Sequence, residues 1–150
     1  MEEIVQLNSG AKLSPHFTLG EMTTSNHPEV YNIPSHEAIA NLKRLCGWLE
    51  VLRERSGTPS WINSGYRSPQ LNRKIGGAPT SNHLTGCAVD IKVAGIEQAL
   101  RYATILLDYA DESKQEFDEL LIEKNRYGAI WVHFAVRPSN NRRKITFINA

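Results

Sequence analysis

A chain of 150 residues, 41% hydrophobic and 22% charged, is sized for one soluble domain with a real core. Its formal charge of +1, without a dominant basic block, argues against a nucleic-acid footprint, and no apolar run approaches membrane-spanning length. Two cysteines, Cys46 and Cys87, cannot form a disulfide framework and read as small buried hydrophobes.

Residues 1–14 carry little pattern and are expected to form a tail or edge segment ahead of a single domain over 15–150. Met1–Val5 lacks the basic and apolar regions of a signal peptide, so the protein is expected to be cytoplasmic as synthesised. Pro15–Met22 reads as a strand leading into a turn, and Ser25–Pro34 as a loop punctuated by two prolines. His27 and His36 read as surface or capping residues. Ser35 is a good N-cap, Glu37 suits a first turn, and apolar residues recur at Ile39, Leu42, Leu45, Cys46, Leu49 and Leu52 before Gly57. That spacing predicts a helix with a core-facing stripe.

Ser60–Ser64 reads as a short strand feeding Gly65-Tyr66-Arg67, and Ser68 caps a short helix over Pro69–Ile75 with proline at its first position. Gly76–Pro79 breaks it and leads into a loop carrying His83. A strand is expected over Cys87–Val93, a second amphipathic helix over Ile96–Ala110, and strands over Phe117–Glu123, Ala129–Val136 and Lys144–Asn149. The middle two should pair as an antiparallel hairpin through Lys124–Gly128. Arg137–Lys144 reads as a solvated basic loop. Helices packed on a mainly antiparallel sheet make the fold class α+β.

Two imidazoles and one carboxylate form a standard ligand set for a catalytic zinc, with one position open for water or substrate. His83 and Asp90 stand seven residues apart around Gly86, and His133 lies mid-strand. Period-two alternation puts Trp131, His133 and Ala135 on one face and Ala88, Asp90 and Lys92 on another. If those strands are neighbours, Asp90 can face His133 while the loop brings His83 over the top. A charge in an apolar strand needs a partner. A metal supplies one, and so does a structural Asp90–Arg or Asp90–His hydrogen bond; spacing alone leaves both open.

The run Ser81, His83, Gly86, Ala88, Asp90 (SxHxxGxAxD) resembles the signature of the zinc peptidoglycan peptidases. These include D-Ala-D-Ala carboxypeptidases, vancomycin-resistance D-Ala-D-Ala dipeptidases and phage endolysins that cut L-alanyl-D-glutamate bonds. Ser64–Pro69 with Asn72 and Gly76-Gly77 is similar to the SGYRSP…N…GG segment of that family, and Trp131-Val132-His133 to its last ligand segment. Phe17–Met22 looks like the opening of a phage-associated branch, so the likeness spans about 15–136. It implies a hedgehog/D-Ala-D-Ala-peptidase-like fold, a Zn2+ cofactor held by His83, Asp90 and His133, and a peptidoglycan stem peptide as substrate. It also implies that Arg67 binds a substrate carboxylate or carbonyl. Ser81 reads as a substrate contact, an orienter of His83 or a loop cap, and Tyr66 as a substrate contact or as packing.

Many relatives carry the general base as Glu three residues before the last His, and here that position is Ile130. Glu123, on the strand that hairpins into His133, is the first candidate for the base and Asp118 the second; a register slip would turn Glu123 away. The expected activity is zinc-dependent hydrolysis of stem peptides, as carboxypeptidase or endopeptidase, by a monomer acting at the cell wall through phage lysis or virion delivery. The other reading is a non-catalytic phage structural or wall-binding module on the same fold.

Overall fold

The computed structural model describes residues 8–150; the first seven residues of the expected tail lie outside the described residues. Lys12–Ser14 (β1) and Phe17–Thr18 (β2) form a small hairpin, and Leu19–Met22 (α1) follows directly. Thr18 and Glu21 close a capping box there. The principal helix, His36–Ser56 (α2), begins where Ser35 Oγ accepts the Ala38 N–H at 3.1 Å. It ends at Gly57, left-handed at φ 73°, with basic Arg53 and Arg55 in the last turn. Ile62–Ser64 (β3), Pro69–Lys74 (α3), a 3-10 turn over Asn82–Thr85, and Ala88–Lys92 (β4) come next. Ile96–Ser113 (α4), Glu119–Lys124 (β5), Ile130–Ala135 (β6) and Lys144–Asn149 (β7) complete the chain.

The five-stranded sheet runs β3-β4-β6-β5-β7. Three pairings are antiparallel, but β7 runs parallel to β5, so the sheet is mixed rather than purely antiparallel. The cause is the connection after β6: residues 136–143 cross back over the start of β5. Arg143 N–H then donates to Phe117 O at 2.9 Å and Lys144 N–H to Asp118 O at 2.9 Å, which starts β7 beside the beginning of β5.

Period two divides the sheet's work. Val89, Ile91, Leu120, Ile122, Val132 and Phe134 point one way and are buried against α2 and α4. Trp48 of α2 anchors that layer, with its ring 5.2 Å from Phe134 and 5.0 Å from Tyr109. Each fully buried leucine of α2 (Leu42, Leu45, Leu49, Leu52) contributes about 1.5–3 kcal/mol relative to exposure. Both cysteines are buried, and burial pushes the Cys46 thiol up to about 12. No described helix is long and apolar enough to cross a membrane. The sheet's other face is left for chemistry.

Candidate metal centre

On that second face Asp90 of β4 pairs in register with His133 of β6. Across the other side of β6, Leu121 pairs with His133, Glu123 with Trp131 and Glu119 with Ala135. The alternation therefore puts Asp90, His133, Glu119 and Glu123 on one surface.

His83 arrives from the 3-10 turn. Ser81 caps the turn by accepting the His83 N–H at 3.2 Å, and Gly86 ends it at φ 74°. A Cβ at Gly86 would lie 2.5 Å from Ala38 O, so the first turn of α2 is pressed against the turn and only glycine fits. Asn41 Nδ2 donates to Thr85 O at 2.9 Å and Arg67 N–H to His83 O at 2.9 Å, fixing the turn from two more sides. Upstream, a Cβ at Gly65 would fall 2.3 Å from Met22 O, a close approach that brings the Gly65 carbonyl under the imidazole of His83.

The three side chains converge. Asp90 Oδ1 is 3.3 Å from His83 Nε2 and 3.1 Å from His133 Nδ1, and one ligand atom from each residue lies within 4.8 Å of the others. A tetrahedral ion with ligands at about 2.0–2.1 Å requires ligand–ligand edges of about 3.3–3.4 Å. The observed edges are close to that.

Hydrogen bonds behind the imidazoles choose their tautomers. His83 Nδ1–H donates to Gly65 O at 2.6 Å, and His133 Nε2–H donates to Glu119 Oε1 at 3.0 Å. When each imidazole is neutral, as a metal ligand must be, that bond leaves the opposite nitrogen, His83 Nε2 or His133 Nδ1, with its lone pair toward Asp90. The electrostatics also favour positive charge here. Burial works to lower the His133 pKa, yet Asp90 and Glu119 together hold it up at about 9. Burial works to raise that of Asp90, and His83 and His133 hold it well below the usual carboxylate range. The donor set, its spacing and its tautomers fit a divalent cation.

A cavity of about 770 Å³ opens over this group. Arg67, Ser81 and Glu123 line it, with Leu121, Trp131 and Ile148 as an apolar wall. Arg67 donates from Nη2 to Ser81 Oγ at 3.3 Å, while its buried Nε has no partner among the described residues. The Glu123 carboxylate is half-buried, forms no ion pair among the described residues, and is raised by burial above the ordinary glutamate value.

Other expected site residues stand elsewhere. Tyr66 is buried in the hydrophobic core and does not line the cavity; its ring packs, while its backbone N–H bonds Met22 O at 2.7 Å. Asp118 just precedes β5, is fully buried, and is gripped through Arg142 Nε at 3.0 Å and Nη2 at 2.8 Å and by Asn82 Nδ2 at 2.8 Å. Burial tends to raise its pKa, but those donors and Arg137 lower it to about 2, and its carboxylate is held as an anchor for the two arginines. Arg137–Lys144 is largely exposed, as expected of a solvated loop, and Arg137, Arg142 and Lys144 also line the cavity.

Glu119 was not among the residues singled out from sequence. The signal was available: it shares a face with Glu123 by period two, and its hydrogen bond to His133 holds its pKa below the ordinary value.

The model of the family described as Peptidase M15 matches residues 15–122. That span contains Arg67, Ser81, His83, Asp90 and Glu119, and stops short of Glu123 and His133. No curated protein matches the chain.

Proposed function

The chain belongs to the peptidase M15 family, and from that premise we propose that it is a zinc-dependent hydrolase of peptidoglycan stem peptides. The observation that carries the reading is the convergence of His83 Nε2, His133 Nδ1 and one Asp90 oxygen under a cavity that also holds Arg67 and Glu123. His83, Asp90 and His133 would hold the zinc, which when bound would supply Lewis-acid chemistry.

The chain's own residues do the rest. Glu123 takes a proton from the attacking water as the new C–O bond forms, and delivers it to the amine as the C–N bond breaks. A carboxylate raised toward neutrality by burial suits both transfers. Arg67 holds a substrate carboxylate or carbonyl with a guanidinium whose Nε has no partner among the described residues. Glu119 keeps His133 in the tautomer that presents Nδ1, and Ser81 braces both Arg67 and the backbone of His83. The protein acts as a monomer at the cell wall, after phage lysis or from a virion.

The rival reading, a non-catalytic module, draws on Ile130 standing where many relatives carry the base. Against it, Glu123 comes from the neighbouring strand onto the same face of the sheet as His133. The test is zinc content and hydrolysis of purified cell wall, measured on the protein and on His133→Ala. About one zinc per chain, lost together with activity in the variant, is expected. Zinc without hydrolysis of any wall would favour the module, and no zinc in either protein would overturn the metal site.

A further inference from the structure

Arg67 is not the only arginine in the cavity. Toward the Ala135 end of β6, Arg137, Arg142 and Lys144 line the same space; one buried carboxylate, Asp118, organises the two arginines, and its backbone carbonyl accepts the Lys144 N–H. Arg142 spends two nitrogens on Asp118. Arg137 places only Nε there, 3.2 Å from Asp118 Oδ2 and 2.9 Å from Asn82 Oδ1. Its backbone is fixed by a reciprocal pair with Asn141, at 2.8 Å and 2.9 Å.

The consequence is a guanidinium anchored along its inner edge with its outer fork available. Among the described residues neither terminal nitrogen of Arg137 has a partner, and its side chain is 32% exposed. Lys144 is exposed and joins no ion pair among the described residues. The local acids do not cancel these charges. Asp118 is already shared by Arg142, Arg137 and Asn82, and Glu119 by His133, Asn82 and, at 3.5 Å, Arg142, so neither acid faces the outer fork of Arg137. A planar fork held from behind is the geometry that takes a carboxylate through two parallel hydrogen bonds. Asn82 also donates to Glu119, which bonds His133, so Arg137 and the candidate metal group are joined through one hydrogen-bond chain and line one cavity.

We propose that Arg137, with Lys144 in the same end of the cavity, is a carboxylate-binding subsite that selects substrates carrying a negative charge on the Asn82 side of the scissile bond. It is separate from Arg67, whose charged neighbours are Asp90 and Glu123. The inference rests on the hydrolase reading of the site. Two sources share the chemistry: an acidic side chain inside the peptide, or the free carboxylate of its end.

The experiment uses two pairs of stem peptides. One pair differs only in a side-chain carboxylate against its amide, the other only in a free against an amidated C-terminus. kcat/KM is measured with the zinc-loaded protein, Arg137→Gln, Arg137→Lys, and Arg101→Gln as a remote surface control. The protein should favour the acid member of one pair by about 10- to 100-fold, the range of one charged hydrogen-bonded contact. The pair that shows this preference identifies the source. Arg137→Gln should erase the preference by lowering kcat/KM for the acid far more than for the amide, and Arg137→Lys should restore little of it because lysine lacks the fork. Equal loss on acid and amide, or no preference in either pair, would overturn the subsite.

If no peptide is cut, the same pairs are titrated calorimetrically against the zinc-loaded protein. An acid preference lost in Arg137→Gln would then uphold the subsite while the hydrolase reading fails, and its absence would sink both. Should Arg137→Gln unfold, Lys144→Gln serves instead, with a several-fold weakening of the preference expected and an unchanged preference counting against the proposal.

Discussion

Asp90 and His133 are direct register partners, and one Asp90 oxygen stands 3.1 Å from His133 Nδ1 and 3.3 Å from His83 Nε2. Two of the three candidate ligands are thus set by a ladder of backbone hydrogen bonds. The third depends on a turn wedged against α2. The metal group is therefore assembled by packing that leaves distinct parts open to separate tests.

Glu123→Gln keeps the shape of the cavity wall and removes the proton acceptor. Hydrolysis should fall by about 100-fold or more, with zinc content and far-UV circular dichroism unchanged. Because burial raises the Glu123 pKa above its ordinary 4.5, activity of the unmodified protein should fail on acidification at a pH above 4.5. A pH–rate profile with its acid limb at or below that value would remove Glu123 from the role.

Glu119→Gln should act through His133 instead. Glutamine can present its amide nitrogen to His133 Nε2 and so favour the wrong tautomer. Zinc affinity should drop by about 10- to 100-fold, read by competition with a chromophoric chelator. Activity at saturating zinc should recover much of the loss. An unchanged affinity would reduce Glu119 to a bystander.

Asp118 makes an acid-stability prediction. Its folded-state pKa of about 2 lies below the ordinary 3.8, so its contribution is intact above about pH 4 and is lost as the pH falls toward 2. Asp118→Asn leaves Arg142 and Arg137 without their shared anion and should cost about 3 kcal/mol at neutral pH. The variant's stability should also vary less than the parent's between about pH 4 and 2. Urea midpoints at both pH values check both statements.

Gly86→Ala should destabilise by more than the roughly 1–2 kcal/mol of a left-handed alanine, since its Cβ also meets Ala38 O at 2.5 Å. The turn that carries His83 must shift, so zinc binding should weaken in the same variant. Normal zinc affinity in a destabilised Gly86→Ala would separate the turn from the site.

Much of this was legible in the sequence because it is local. The caps Ser35 and Gly57, the proline opening α3, and the alternation in β4, β5 and β6 each carry their own physical signal. The face of Glu123 followed from alternation once the hairpin register was known. What stayed hidden depends on distant partners. Nothing in Lys144–Asn149 states that its neighbour is β5 or that the pairing is parallel. Tyr66 sits in a motif whose Arg67 lines the cavity, yet tertiary packing turns its ring into the core. Arg137 and Arg142 read as solvated charges because Asp118, the carboxylate that holds them, lies some twenty residues earlier.

The strict division of the sheet's two faces has a consequence for how the molecule is quality-controlled. His133 stands between Val132 and Phe134, so a one-residue slip of β6 would push an imidazole into the core and turn Phe134 toward the cavity. No slipped molecule could assemble the ligand set, whatever its secondary structure. Metal stoichiometry in a preparation would therefore count the chains in correct register, a census that circular dichroism could not take.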